Sequence, residues 1–448
     1  MSRDTDIPSQ SLLTRLGLDT KPKRAWAYYD IANSGFAAVI MVAILPIYFA
    51  DVVASELPAH QRSSLWASIT TVAMIATAAL SPFLGNISDF LKAKKRFLLV
   101  TTAVGALSCI ALAWSGRGAI TFTAITYIAA NMSFALGNVF YEALLVDVAD
   151  DESIHTTSTS GYALGYLASG LLLCLNLAWV LKPETFGFSD AGAAIQASFI
   201  SVGIWWAIFS IPLFTKVKEK GHRTEKASHN DVANIVRFSG RRLIATFKDI
   251  KKLPNLFLFL LAFWFYSDGI GTIIKMATIY GKEVGIGNND LMAAIVVVQF
   301  VGVPCSFLFG PLAIKIGPKN GLYITLLVYL VLTFLAYFMT TATEFWILAV
   351  GLATVQGASQ ALSRSIFSRM LPASRSGEFF GFYSVSSKFA GIIGPLAFGI
   401  ITAMAGASRL AILFIVALFL LGIAILYFVD LEEGIKQATE ADSFEPTS

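Results

Sequence analysis

Gly85-Asn-Ile-Ser-Asp89-Phe-Leu-Lys92-Ala-Lys94-Lys95-Arg96 is a charged interruption between two apolar runs, 64–84 and 97–115, that hold no Asp, Glu, Lys or Arg. Each run has the ~20 residues that an α-helix needs to cross a ~30 Å hydrocarbon core. Backbone N–H and C=O groups find no water in lipid, so such runs are read as helices with internal hydrogen bonds. The four basic residues of the interruption mark it as cytoplasmic, because Lys and Arg accumulate on that side. One short stretch thus predicts two crossings and their direction.

The same pattern fills the chain. Of 448 residues, 56% are hydrophobic and 14% charged, with a mean hydropathy of +0.68, whereas soluble chains carry about 25% charged residues. Disorder is excluded by this composition. A net charge of +4 is too weak a field for nucleic acid, which is not an expected partner. Reading for apolar runs predicts twelve spans: 25–50, 64–84, 97–115, 119–146, 156–181, 194–214, 255–280, 291–314, 321–340, 345–367, 379–402 and 408–429. With the N-terminus inside, 25 of the 33 Lys and Arg fall in cytoplasmic segments. Five fall outside: Arg62, Arg117, Lys182, Lys282 and Arg409. Both termini are therefore expected in the cytoplasm.

Eight charged residues occupy the first 24 positions with no apolar stretch ahead of them, so span 1 is expected to act as an uncleaved signal. Short loops and the lack of a targeting peptide point to a multi-pass protein of the plasma (inner) membrane, with a vacuolar membrane as the alternative. The expected organisation is an N-tail over 1–24, a six-helix bundle over 25–214 and a cytoplasmic linker over 215–254. A second bundle over 255–429 and an acidic C-tail over 430–448 follow. In the linker, Val232, Ile235, Val236, Leu243, Phe247 and Ile250 share one helical face opposite Arg237, Arg241, Arg242, Lys248, Lys251 and Lys252. Two readings stand: an amphipathic helix on anionic membrane lipids, or a solvated basic linker. Cys109, Cys174 and Cys305 lie singly in apolar runs, which suits neither disulfides nor metal ligation.

The halves echo each other. Trp26-Ala-Tyr28-Tyr-Asp30 in span 1 matches Trp264-Phe-Tyr266-Ser-Asp268 in span 7, and Gly85 matches Gly310. Asn138, Glu142 and Asp147 around span 4 match Gln360, Arg364 and Arg369 around span 10. Duplication of six spans is typical of transporters.

The stretch from Gly85 to Arg96 resembles the loop 2–3 motif of the major facilitator superfamily, with Asp89 as its acid and Lys94, Lys95 and Arg96 as its basic end. Ala93 stands where that motif usually has Gly, and Ile314 replaces the acid in the second half. Trp26-Ala-Tyr-Tyr-Asp30-Ile-Ala-Asn33-Ser34, Tyr162-Ala-Leu-Gly165-Tyr166 and Gln360-Ala-Leu-Ser-Arg364 narrow the resemblance to the vacuolar amino-acid effluxer-like ("unknown major facilitator") branch. The resemblance implies an all-α polytopic fold of two pseudo-symmetric six-helix bundles. It also implies a secondary transporter of a small polar solute, proton-coupled or facilitated, with spans 1, 4, 7 and 10 lining the cavity.

Charge inside a membrane costs roughly 2.5–3.5 kcal/mol on insertion scales and usually marks a pathway. Of the six ionisable residues within the spans, Asp30, Glu142, Asp268, Lys275 and Arg364 fall on the four spans that the resemblance makes cavity-lining; Lys388 falls on span 11. Asp268, near mid-membrane, is the candidate for the coupling proton, with Asp30 assisting. Lys275 lies on the same face two turns on, so a static Asp268–Lys275 pair is the competing reading. Asn33, Asn138, Lys275, Gln360 and Arg364 are candidate substrate ligands, the last through a bidentate grip on a carboxylate. Glu142 and Arg364 are candidate partners across an inner gate. Trp26, Tyr28, Tyr29, Trp264 and Tyr266 line a pocket or belong to the membrane interface.

No motif for ATP hydrolysis, metal binding or nucleophilic catalysis occurs, so no cofactor and no enzyme activity are expected. A transport-inactive receptor or assembly factor on the same scaffold is the alternative, and it would be expected to lose its cavity charges. The chain is expected to work as a monomer.

Gly85, Asp89, Lys94, Lys95, Arg96 and Asp147 are the expected cytoplasmic latch, present in the first half only. Asp89→Asn is expected to shift the protein toward the inward-open state, read as faster labelling of cysteines placed in the inner mouth. Ile314→Asn should do less; equal effects would remove the asymmetry.

Overall fold

The computed structural model describes residues 11–150, 153–219, 245, 247–372 and 376–443, which wind almost entirely into helices. Span 1 covers Lys21–Val53. Spans 2 to 6 are Ala59–Phe90, Lys94–Ala111, Ile120–Ala143, Ile154–Leu181 and Ala191–Lys216. Spans 7 to 10 are Pro254–Glu283, Asn288–Ile316, Pro318–Ala336 and Ala342–Arg369. Span 11 consists of Ser376–Phe389 and Ile393–Ala405, and Arg409–Tyr427 is span 12. Eleven of these stretches are long and apolar enough to cross a membrane. Span 8, helical over 29 residues, makes twelve.

Within each half, span 1 packs on spans 5 and 6 and span 3 on spans 4 and 6, while span 7 packs on span 12 and span 8 on span 10. The halves meet where span 2 runs along span 11 and span 5 along span 8. Those two pairs exchange under a twofold that swaps the repeats.

Two departures from the sequence expectation, and one addition to it, follow from backbone chemistry. Span 1 winds as wider π-helix over Phe36–Ile44 and Phe49–Val53. Pro46 between them has no N–H for the Val42 carbonyl four residues back, and Thr278 Oγ1 of span 7 donates to that carbonyl at 2.6 Å. Span 11, expected to be continuous, is broken at Ala390–Ile392, because Pro395 offers no N–H to Gly391. The acidic C-tail, for which the sequence reading names no secondary structure, is a helix over Leu431–Ser443. The Asp430 carboxylate accepts the Glu433 N–H (3.0 Å), the Asp430 N–H donates to Asn255 of span 7 (2.8 Å), and Gly434 packs on Met370.

The opening stretch is mostly helix. Span 2 continues through Asp89 to Phe90, and the turn is confined to Leu91–Ala93. Its left-handed residue is Lys92 (φ 49°), and the Ala93 N–H closes back onto the Ser88 carbonyl at 2.9 Å. That turn therefore needs no glycine at 93. Gly85 lies against Val139 of span 4. Lys94 Nζ reaches Asp147 (3.6 Å) and the Ala143 carbonyl (3.1 Å), and its N–H donates to Glu219 (2.8 Å). Lys95 donates to the Phe214 and Val217 carbonyls at the end of span 6 (3.0 and 2.6 Å). Lys319 does the same for span 12, donating to Val429 at 2.5 Å. A cation on helix-terminal carbonyls is favourable by dipole and by hydrogen bond. Arg96 is exposed. The Asp89 side chain lies outside the described residues.

Of the expected linker helix only its last turn is described. Phe247 packs on Phe257 and Phe382, Ile250 is buried, and Lys251 lies over the Phe247 ring. That end of the linker packs on spans 7 and 11.

A lysine held left-handed carries about 1–2 kcal/mol of strain. Lys92→Gly is expected to raise stability by roughly 0.5–1 kcal/mol after the glycine's extra freedom in the unfolded chain is deducted. Lys92→Ala should be near neutral. Unfolding of the detergent-solubilised protein compares the two.

Candidate functional site

Asp30 is buried among aromatic residues. The Tyr141 hydroxyl of span 4 donates to its Oδ2 at 2.6 Å. Trp26 stacks on Tyr141 at 4.3 Å and donates from its indole N–H to the Tyr141 carbonyl. Gly161 of span 5 closes the niche, where a Cβ would lie 2.5 Å from Oδ2. One turn on, Asn33 donates to Asn138 at 2.6 Å, joining spans 1 and 4.

Asp268 occupies a related niche in the other half, also against a glycine of the fifth helix of its bundle. Gly394, the second residue of the outer half of span 11, donates its N–H to Asp268 Oδ2 at 2.7 Å. Oδ1 is buried and has no hydrogen-bond partner among the described residues. Thr272 donates to the Asp268 carbonyl (2.7 Å), and its Oγ1 lies so close to Gly394 that a Cβ there would collide with it. Lys275 makes no ion pair with Asp268 within 4 Å among the described residues; its Nζ lies beside Gly271 and Gly391. The depths differ, as the sequence suggests. At 1.5 Å per residue, Asp30 lies about 14 Å and Asp268 about 21 Å along helices that begin at Lys21 and Pro254.

Glu142, Tyr162, Gln360 and Arg364 are exposed near the inner ends of spans 4, 5 and 10. Arg364 and Glu142 form no ion pair within 4 Å among the described residues; Glu142 acts on Arg364 from a longer range, and both act on the Tyr162 hydroxyl. Lys388 lies in the field of Glu142. Tyr162 follows Gly161 and Glu142 follows Tyr141, so the same two backbone steps face Asp30 on one side and the charged mouth on the other. Sequence reasoning missed Tyr141 and Gly394. The adjacency of Tyr141 to Glu142 and the Gly391–Gly394–Pro395 spacing were the available signals. Trp26, Tyr29 and Tyr266 are buried in packing, Tyr29 on Thr102 and Tyr266 on Ser363, rather than lining a pocket. Tyr28 and Trp264 are exposed.

The outer side is closed. Lys282 of span 7 pairs with Asp51 of span 1 at 2.9 Å, and Asn288 joins both, donating to Asp51 (2.8 Å) and accepting from Lys282 (2.6 Å). Ser64 of span 2 donates to the Gly399 carbonyl of span 11 at 2.8 Å. Beneath this seal is a mostly apolar cavity of about 240 Å³, lined among others by Met41, Ile274, Gln299, Tyr329 and Gln356. It contains none of the expected substrate ligands, which lie deeper or in the inner mouth. The bundles are thus joined at the Asp51–Lys282 end, while Glu142 and Arg364 are exposed at the opposite end.

Comparison with known proteins agrees with this architecture. The chain matches the family described as "Vacuole effluxer Atg22 like" over residues 59–158 and 146–439. A Bacillus subtilis (strain 168) protein named as the MFS-type transporter YxiO is 37% identical over 413 residues, 92% of this chain and 95% of that one. Autophagy-related protein 22 of Saccharomyces cerevisiae (strain ATCC 204508 / S288c) is 24% identical over 431 residues, 86% of this chain and 80% of that protein. Among solved structures, a bacterial homologue of the human lysosomal transporter Spinster, inward-facing and unoccupied, superposes with a TM-score of 0.66. Its sequence identity is 13%, with 93% of this chain and 97% of that one covered. The inward-open xylose transporter XylE from E. coli gives 0.61 at 13% identity, covering 95% and 98%. These two likenesses establish the fold.

Lys282→Gln leaves Asp51 without its cation and weakens the outer seal. Labelling of a cysteine placed at Ala38, beneath the seal, is expected to quicken severalfold from the outside. Unchanged labelling would mean that the apolar contacts alone hold the seal.

Proposed function

Since the chain belongs to the Atg22-like vacuole effluxer family and is a multi-pass secondary transporter of the major facilitator type working by alternating access, not an enzyme, we propose that it moves a small zwitterion or small anion, amino acids first, in exchange with or alongside protons. The observation that carries this reading is the separation of two kinds of polar site. Asp30 and Asp268 are sequestered in glycine-walled niches inside the bundles, while Glu142, Gln360 and Arg364 are exposed at the inner mouth.

A carboxylate deep in a membrane is costly when charged, so its loss of a proton tracks the opening of a wet path. Asp268, with one oxygen that has no hydrogen bond among the described residues, is the coupling carboxyl in this reading, and Asp30 assists. Arg364 grips the solute's carboxylate, and Asn33, Asn138 and Gln360 offer neutral hydrogen bonds, with Glu142 available to an ammonium group. Lys275 balances Asp268 without being locked to it. The twofold pairing of spans 2 with 11 and 5 with 8 supplies the surfaces on which the bundles rock. The protein works as a monomer in the plasma membrane with both termini in the cytoplasm, Lys92, Lys94, Lys95 and Arg96 lying on the inner face.

A thermal-shift screen of amino acids and small acids on the purified protein identifies the solute. In proteoliposomes, Asp268→Asn is expected to abolish accumulation driven by a pH gradient, yet to leave exchange at equal pH partly intact. Arg364→Gln should weaken the apparent affinity for carboxylate-bearing solutes at least about tenfold, the loss of a charge-assisted pair. Continued uphill accumulation by Asp268→Asn would pass the proton role to Asp30 or Glu142.

A further inference from the structure

We propose that the outer half of span 11, Ile393–Ala405, is the lever that carries protonation of Asp268 to the outer seal, with Gly394 as the positioning residue that senses it. This rests on Asp268 being the coupling carboxyl.

The lever is a 13-residue helix that packs on spans 7 and 12, and two of its attachments link the acid to the other bundle. At its inner end the Gly394 N–H bonds the Asp268 carboxylate at 2.7 Å. A helix N-terminus carries partial positive charge, and a hydrogen bond to an anion is roughly twice as strong as one to a neutral acceptor. Adding a proton to the unpartnered Oδ1 leaves a neutral acid, so both the charge–dipole attraction and the charge assistance disappear. Along its length the lever touches the other bundle. Its Gly399 carbonyl accepts from Ser64 at 2.8 Å, Gly399 packs on Ala67, and Gly391 at the break packs on Met74. The acid and the seal are thus two attachments of one rigid element.

The break is the hinge. The Gly394 N–H serves Asp268 instead of the Ala390 carbonyl, and Pro395 has none to give Gly391. The break is held by turn bonds that lengthen across it, Ala390 to Ser386 at 2.9 Å, Gly391 to Lys388 at 3.4 Å and Ile392 to Phe389 at 3.3 Å, with Leu396 to Ile392 at 3.2 Å starting the outer half. Gly394 is obligatory because Thr272 Oγ1 occupies the space of a side chain. The ionisable group acting on Asp268 among the described residues is Lys275 of the same helix. Span 11 presents the Gly394 N–H, span 12 presents Phe419 beside Gly269, and span 2 presents Met74, none of them ionisable. Lys388, on the inner half of span 11, lies in the field of Glu142 instead.

The test is the distance between spin labels at the outer ends of spans 2 and 11, on Gln61→Cys and Met404→Cys, with the three native cysteines replaced. Full-length protein in lipid nanodiscs is measured at about pH 8 and about pH 5, which brackets the range over which a buried carboxyl is titrated. The expected result is a longer-distance population that grows at least about twofold in acid. Asp268→Asn should show the acid distribution at both pH values. Pro395→Ala, which returns an N–H to the Gly391 carbonyl and straightens the span, should lose at least about half of the response. It also decides the matter should Asp268→Asn not fold. A full response in either variant, or none in the parent, overturns the lever. If Asp268→Asn loses proton-driven accumulation but keeps the distance response, the lever falls and the coupling carboxyl stands. If accumulation persists, it is the coupling carboxyl that falls.

Discussion

Asp268 accepts one backbone N–H at the middle of a broken helix, and much of the second bundle is arranged around that hydrogen bond. In water such a contact would be worth little. In a membrane the anion has no solvent to turn to, and the N–H freed from its own helix has none either, so each satisfies the other. The arrangement needs a glycine at 394, because the threonine one turn along span 7 fills the space of any side chain. It also needs Pro395, which makes the break in span 11 inexpensive. The first bundle solves the same problem differently. Its fifth helix is unbroken, so Asp30 takes its hydrogen bond from a tyrosine hydroxyl, and the glycine at 161 serves only close approach.

That difference gives the two halves different duties. Asp30 is tied into a stack of Trp26, Tyr141 and Tyr29 that makes the inner part of the first bundle rigid. Asp268 is tied to a short helix that also contacts span 2 of the other half. A change of charge at Asp30 meets a stiff aromatic wall, whereas a change at Asp268 meets a hinge. Outside, the ion pair of Asp51 with Lys282 bridges the two π-distorted and straight helices that begin the halves. At the other end, Lys95 and Lys319 neutralise the carbonyl ends of spans 6 and 12, so each bundle is tied there within itself. One end is thus joined between the bundles and the other within each of them, so the molecule is closed at the Asp51–Lys282 end.

The twelve spans, their grouping six and six, and the family were legible from the chain because each rests on local or summed properties. Twenty apolar residues must be helical in lipid wherever they pack, and a repeat of residue types survives as sequence. The intramembrane charges were equally visible, since each is an expensive exception in an apolar run. What those charges touch was not legible. Glu142 and Arg364 are repeat equivalents of opposite sign, yet they form no ion pair within 4 Å among the described residues, and the Tyr162 hydroxyl lies in the field of both. Lys275 shares a face with Asp268 and still does not pair with it, because side-chain reach and the glycine walls of span 11 decide where an ammonium group rests.

By itself, then, the sequence determined which segments cross the membrane and which side chains break the apolar rule, because transfer free energy is a sum over residues and needs no partner. Only the tertiary structure decided that span 11 is broken, that the tail after Val429 is a docked helix, and that Tyr141 and Gly394 are the groups holding the two buried acids. Each of these depends on a hydrogen-bond donor or a missing side chain supplied by a distant helix. A backbone N–H is present at every residue but proline, so no residue type in the sequence marks the one that will be turned away from its own helix.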